Sequence, residues 1–156
     1  RYVIKKRFGY VFVVLESVLV FLFINTYNIV NMTTDRFVVY NRPGVSEMGV
    51  VVNNKATPVM RKGNNVLAYS SKRIVRLSEN TYRSKISEKT FPVDFLSLSE
   101  DDSFSMNTLN DYFSPQVVIL DSSLSKYAAG RITEECRRLH IKVHDVTQMG
   151  AFSINL

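Results

Sequence analysis

Apolar and polar positions alternate along this chain in two different ways. From Phe8 to Ile24 the sequence is apolar except for Gly9, Glu16 and Ser17, and weaker hydrophobicity continues to Val30. At ~1.5 Å per residue, Phe8–Ile24 would make a helix about 26 Å long and the extension to Val30 one of about 35 Å. A bilayer hydrocarbon core is ~30 Å thick. The pattern predicts a transmembrane helix in residues 1–30. Lys5, Lys6 and Arg7 precede it, whereas Asp35 and Arg36 cancel after it. Basic residues beside a short segment stay in the cytoplasm. The start is therefore expected inside the cell, and residues 31–156 outside it, as a periplasmic or otherwise extracytoplasmic domain. A signal peptide would share the basic start, but Ile24-Asn25-Thr26-Tyr27-Asn28 is a poor cleavage site. The chain opens on Arg1 rather than Met, so a fragment or processed product is expected, its helix the last of several.

Glu16 falls near the middle of the span. A charge there costs ~2.5–3.5 kcal/mol on insertion scales, less if the carboxyl binds a proton. Two readings stand: a residue facing a channel or partner helices, and a tolerated carboxyl in a strong span.

Behind the helix the pattern shortens. Arg36–Tyr40, Met48–Asn53, Thr57–Met60 and Val66–Ser71 read as strands separated by turn signals at Asn41-Arg42-Pro43-Gly44 and Lys62-Gly63-Asn64-Asn65. The stretch from Lys72 to Thr90 is polar and ambiguous. Val93–Leu98 is a further strand. Met106, Leu109 and Phe113 then recur at helical spacing, with Ser114-Pro115 as the expected stop. Val117–Leu120 is a continuous apolar run, as in a strand covered on both faces. Leu124, Ala128, Ile132, Cys136 and Leu139 mark one helix face, with Glu134, Glu135, Arg137 and Arg138 on the other. Ile141–Val146 and Ala151–Leu156 close the chain as strands around a turn at Thr147–Gly150. The order predicts a meander followed by an α/β layer with a partly parallel sheet and an antiparallel hairpin at its end.

Composition changes this picture little. The net charge is +6, and the four cations and one anion of the first thirty residues account for half of it. Arg61, Lys62, Lys72, Arg73, Arg76, Arg83 and Lys85 form a basic middle stretch with Tyr69 and Tyr82 between them. It is either a solvated sheet face or a set of nucleic-acid contacts. The single cysteine excludes an intrachain disulfide and a cysteine zinc cluster; Cys136 reads as a buried structural thiol.

The segment FVVYNRPG and the tail VVILDSSLSKYAAGRITEECRRLHIKVHDVTQMGAFSINL resemble the C-terminal region of Bacteroidetes-type competence proteins of the ComEC family. The likeness covers most of the chain. It implies an inner-membrane channel that carries single-stranded DNA inward during natural transformation, with this chain as a transmembrane helix plus a small domain similar to the metallo-β-lactamase fold. The implied partners are the membrane, single-stranded DNA and other competence proteins.

One departure matters. Active domains of that fold carry an HxHxDH-type motif whose two metals activate water. This chain has no histidine before His140. The corresponding place reads Ser99-Glu100-Asp101-Asp102-Ser103. These carboxylates could hold Mg²⁺ or Ca²⁺; the simpler reading is a solvated acidic loop feeding a helix N-terminus. His140 and His144 lie four apart; in one strand they would stand about 13 Å apart, too far to share one ion, and His140 is expected to end the preceding helix, where a cation suits the dipole. Asp145 would face the other way. Asp121-Ser122-Ser123 ends a strand, where α/β folds place sites, but no base for a serine nucleophile is evident and helix capping explains it better.

The expected fold class is therefore α/β: a transmembrane helix over 1–30 and a degenerate metallo-β-lactamase-like sheet/helix domain over 31–156. No catalytic residue, metal or cofactor is expected. The leading function is DNA uptake with a non-catalytic domain. The alternatives are a membrane-anchored interaction domain and a divergent metal-dependent nuclease using Asp94, Glu100, Asp101, Asp102 and Asp121.

Overall fold

The computed structural model describes residues 2–32, 35–52, 55–58, 63–69, 71–82 and 89–156. The chain divides into two units, Arg1–Thr34 and Asp35–Leu156.

The first unit is a single helix, α1 (Tyr2–Met32). Its segment Tyr10–Val30 has the length and apolar composition to cross a bilayer. Polar side chains on it turn back to the helix itself: Ser17 Oγ donates to the Val14 carbonyl, Thr26 Oγ1 to Leu22, and Asn25 Nδ2 to Phe21. Such back-bonding satisfies polar groups where water is absent.

The second unit contains two sheets. β1 (Arg36–Val39), β2 (Met48–Val52) and β3 (Lys55–Pro58) form an antiparallel meander. β4 (Asn65–Tyr69), β5 (Lys72–Leu77), β6 (Phe91–Leu98), β7 (Phe113–Leu120) and β8 (Lys142–Asp145) form the other sheet in sequence order. β4 and β5 are antiparallel; every later neighbour is parallel. Connecting helices α2 (Met106–Leu109) and α3 (Lys126–Arg138) carry the crossovers of the parallel β6–β7 and β7–β8 pairs. A one-turn helix, α4 (Val146–Met149), precedes β9 (Phe152–Asn155), which pairs antiparallel with β1.

The central sheet is covered on both faces. Phe37, Val39, Met48 and Val50 of the meander pack with Ile74, Phe95, Ile119 and Val146. Val75, Leu77, Leu96, Leu98, Val118 and Leu120 pack instead with Ile132 and Cys136 of α3 and with Phe104, Met106 and Leu109. The layers run sheet, sheet, helix. Fully burying each such side chain stabilises the fold by ~1.5–3 kcal/mol, and both faces of β5, β6 and β7 contribute.

The structure departs from the sequence expectations at four places. The stretch from Lys72 contains a full strand, β5. The third strand starts at Lys55, earlier than expected. The helix expected to reach Phe113 stops at Leu109, and Phe113-Ser114-Pro115 opens β7. A proline is tolerated there because β8 pairs with β7 only from Val117 onward, leaving Pro115 with one neighbouring strand. The closing strand does not form a hairpin with β8: α4 redirects the chain, and β9 joins the other sheet. His140 stands at the end of α3, as expected, in the left-handed region (φ +58°) and outside β8, so the two histidines do not share a strand.

Candidate functional site at the strand ends

β5, β6 and β7 release their chains at one edge, where a polar cluster is buried. Its centre is Arg76, the penultimate residue of β5, flanked by the buried Val75 and Leu77 and only 3 % exposed. Arg76 Nη2 donates to Ser46 Oγ (2.8 Å) and to Glu100 Oε1 (2.9 Å). Ser46 Oγ in turn donates to Asp121 Oδ2 at 2.7 Å. Asp121 is buried at the end of β7 and takes the Ser123 backbone N–H on Oδ1 (2.8 Å). Burial raises the Asp121 carboxyl above its ordinary value of 3.8, although bonds from Ser46 and Ser123 and the charge of Arg76 pull the other way.

The neighbouring loops are tied to this cluster. Ser122 Oγ donates to the Arg42 carbonyl (2.7 Å) and accepts from the Arg42 N–H (3.2 Å). The Gly44 N–H donates to the Ser122 carbonyl; Gly44 turns with φ +72°, which glycine adopts freely. Glu100, at φ +64°, donates its N–H to Ser123 Oγ.

The acidic loop is occupied with its own backbone. Asp101 accepts from the Ser103 N–H on Oδ1 and the Asn80 N–H on Oδ2. Asp102 Oδ1 accepts from the Ser125 N–H. Asp94 lies elsewhere, taking the Arg73 N–H and Gln116 Nε2. Among the described residues no three His, Cys, Asp or Glu side chains converge as a metal site. The two-metal centre that the metallo-β-lactamase likeness implies does not fit these residues. A fixed guanidinium stands between Glu100 and the Ser46–Asp121 pair, and the other carboxylates hold backbone amides.

The described residues of the basic stretch have different surroundings. Arg76 belongs to the buried cluster rather than to a solvated surface. Lys72 Nζ is 3.9 Å from Asp94 Oδ1, and the Arg73 guanidinium lies 5.8 Å from the centre of the Phe91 ring. Arg61, Lys62, Arg83 and Lys85 lie outside the described residues. The two tyrosines are engaged: Tyr69 donates to Asp35 Oδ2 (2.6 Å), which raises its pKa, and Tyr82 packs on Tyr112 and Phe113. Glu16 lies on the exposed surface of α1.

Sequence reasoning missed two residues of structural weight. Ser46 was hidden in a loop far from its partners. Glu135, expected on a polar helix face, accepts from the Met106 N–H (2.6 Å) and Ser105 Oγ (3.0 Å), so α3 caps α2. Ser125, rather than a residue of Asp121-Ser122-Ser123, caps α3, accepting from the Ala128 N–H.

A family model described as ComEC C-terminal domain matches residues 19–156. The chain belongs to that family. It is thus the domain of a membrane-associated protein of competence and DNA uptake. No curated protein and no solved structure matches it.

Proposed function

We propose that this chain is the C-terminal region of a channel that passes single-stranded DNA through the inner membrane during natural competence. In this reading α1 spans the membrane, and the domain behind it is extracytoplasmic and non-catalytic. The family match over residues 19–156 carries the proposal, because it begins inside α1 and runs through the whole sheet domain. Lys5, Lys6 and Arg7 favour a cytoplasmic start. Glu16 then faces the conduit or neighbouring helices, the cheaper location for an ionisable group at that depth. Two face-to-face sheets with helices on one outer side support kinship with the metallo-β-lactamase fold. The Arg76 guanidinium among the carboxylates supports the loss of its chemistry.

The domain guides DNA or docks other competence proteins. Lys72 and Arg73, with Arg61, Lys62, Arg83 and Lys85, are its candidate phosphate contacts. The test is binding of a labelled oligothymidylate to the full chain in nanodiscs, across a salt series and with Mg²⁺, Mn²⁺ or Zn²⁺. Binding that weakens with salt, without cleavage, is expected. Metal-dependent cleavage abolished by Asp101→Asn with Asp102→Asn would make the domain a nuclease. Absence of binding would leave an interaction domain.

A further inference from the structure

The edge of the central sheet that carries the Arg76 cluster also carries an open cavity, beyond β8. It measures about 370 Å³ and is lined by Lys126, Ala129, Asp145, Thr147 and Gln148. That volume lies within the ~300–1,000 Å³ of small-molecule sites, and Ala129 gives it a small apolar floor. The buried Asp145 carboxylate is satisfied from within its own turn. Oδ1 takes the Thr147 N–H (2.8 Å) and Thr147 Oγ1 (2.6 Å), and Oδ2 takes Gln148 Nε2 (2.8 Å). Lys126 is exposed, and among the described residues it has no ion-pair partner. The next residue, Tyr127, is 81 % exposed, the most exposed large apolar side chain among the described residues of the domain. Tyr127 lies outside the cavity lining, one residue along α3 from the cation; a cation and an exposed aromatic ring on neighbouring residues supply the two contacts that hold a nucleic-acid strand, ammonium on phosphate and base on ring.

We propose that this cavity is a contact point for single-stranded DNA, in which Lys126 binds a backbone phosphate and Tyr127 stacks a neighbouring base. Gln148, whose amide keeps one N–H and its carbonyl beyond the bond to Asp145, faces the same cavity and hydrogen-bonds the strand. The inference rests on the DNA-handling reading and names a position in it that the basic middle stretch does not include.

The full chain in nanodiscs of neutral lipid is titrated with a labelled oligothymidylate and with the same strand lacking its bases. Lys126→Glu is the first variant. An acidic residue suits the first turn of a helix, so it does not threaten folding. It should lower affinity about tenfold and flatten the salt dependence by ~0.7 in log K per log salt for one phosphate lost. Tyr127→Ala should lower affinity for the oligothymidylate about fivefold or more with an unchanged salt slope, and leave the abasic strand unaffected. Lys142→Glu makes the same charge change on an exposed residue at the opposite end of β8, and should have a smaller effect. Wild-type binding with all three variants unchanged, or with Lys142→Glu matching Lys126→Glu, would overturn the contact point and leave the DNA reading standing. No binding by the wild type would overturn both. Vesicles of anionic phospholipid form a separate arm. If Lys126→Glu released them while oligothymidylate binding held, the site would be one for lipid phosphate and the proposal would fail.

Discussion

Arg76 and Asp121 face each other across a single hydroxyl. Ser46 Oγ accepts from the guanidinium at 2.8 Å and donates to the carboxylate at 2.7 Å. One loop serine thus bridges β5 and the end of β7, and carries the meander's β1–β2 loop onto the central sheet.

Removing the cation should be costly. Breaking a buried ion pair from one side costs ~3–5 kcal/mol. Glu100 is 44 % exposed and regains water, so Arg76→Met is expected to lose about 2–3 kcal/mol. Adding Asp121→Asn should return part of that loss, because the remaining buried charge goes with it. Denaturant unfolding followed by near-UV circular dichroism reads both. Equal stability of Arg76→Met and wild type would show that the guanidinium is not a structural centre.

Asp121 gives the domain a pH dependence of definite sign. Its folded pKa is raised above 3.8, so the folded state holds the proton more tightly than the unfolded chain. The stability this contributes is complete below 3.8 and is lost as pH rises through the folded pKa. Asp121→Asn lacks that component. Stability of the variant relative to wild type should therefore climb from about pH 4 upward and then level off. A fall over the same range would mean that Arg76 outweighs burial and lowers the carboxyl instead.

Ser122→Ala should loosen the β1–β2 loop with little effect elsewhere. It removes the bonds to the Arg42 N–H and carbonyl. Residues 41–45 are exposed and water can replace the lost partner, so the expected cost is ~1 kcal/mol. Hydrogen exchange at the Gly44 amide, which donates to the Ser122 carbonyl, should accelerate. Unchanged protection would show that the loop is held by other means.

Cys136 should be inert until the domain unfolds. It is fully buried on α3, and burial, with Glu135 nearby, pushes its thiol up to about 12. A thiol-specific reagent at pH 8 should label it only at the rate of global opening. Fast labelling of the native chain would contradict its place in the core.

The sequence made most of the elements legible because their patterns are local. α1, β1, β2, β6 and α3 stand near their expected positions, since alternation and helical periodicity report which side of an element is buried. β5 was obscured by Lys72, Arg73 and Arg76, which look like surface residues; only the fold reveals that the last is internal. Phe113, four residues after Leu109, imitates a helix face while opening a strand. Asp121 and Ser122 were recognisable as polar residues at a strand end. Their partner Ser46 was not, because the Ser46–Asp121 bond joins residues 75 apart and no periodicity encodes that distance.

The pairing of β9 with β1 also fixes an order of events. Arg36 stands opposite Asn155, and the Leu156 N–H donates to the Asp35 carbonyl. The strand nearest the helix therefore waits for its neighbour until almost the whole domain has been synthesised. During that interval α1 is already complete, and β1 carries an unpaired edge. Such non-local pairing closes slowly, and an open edge invites a wrong strand. Biogenesis would thus be most vulnerable before β9 has emerged, and sequence changes in β9 should show first as poor yield of folded protein.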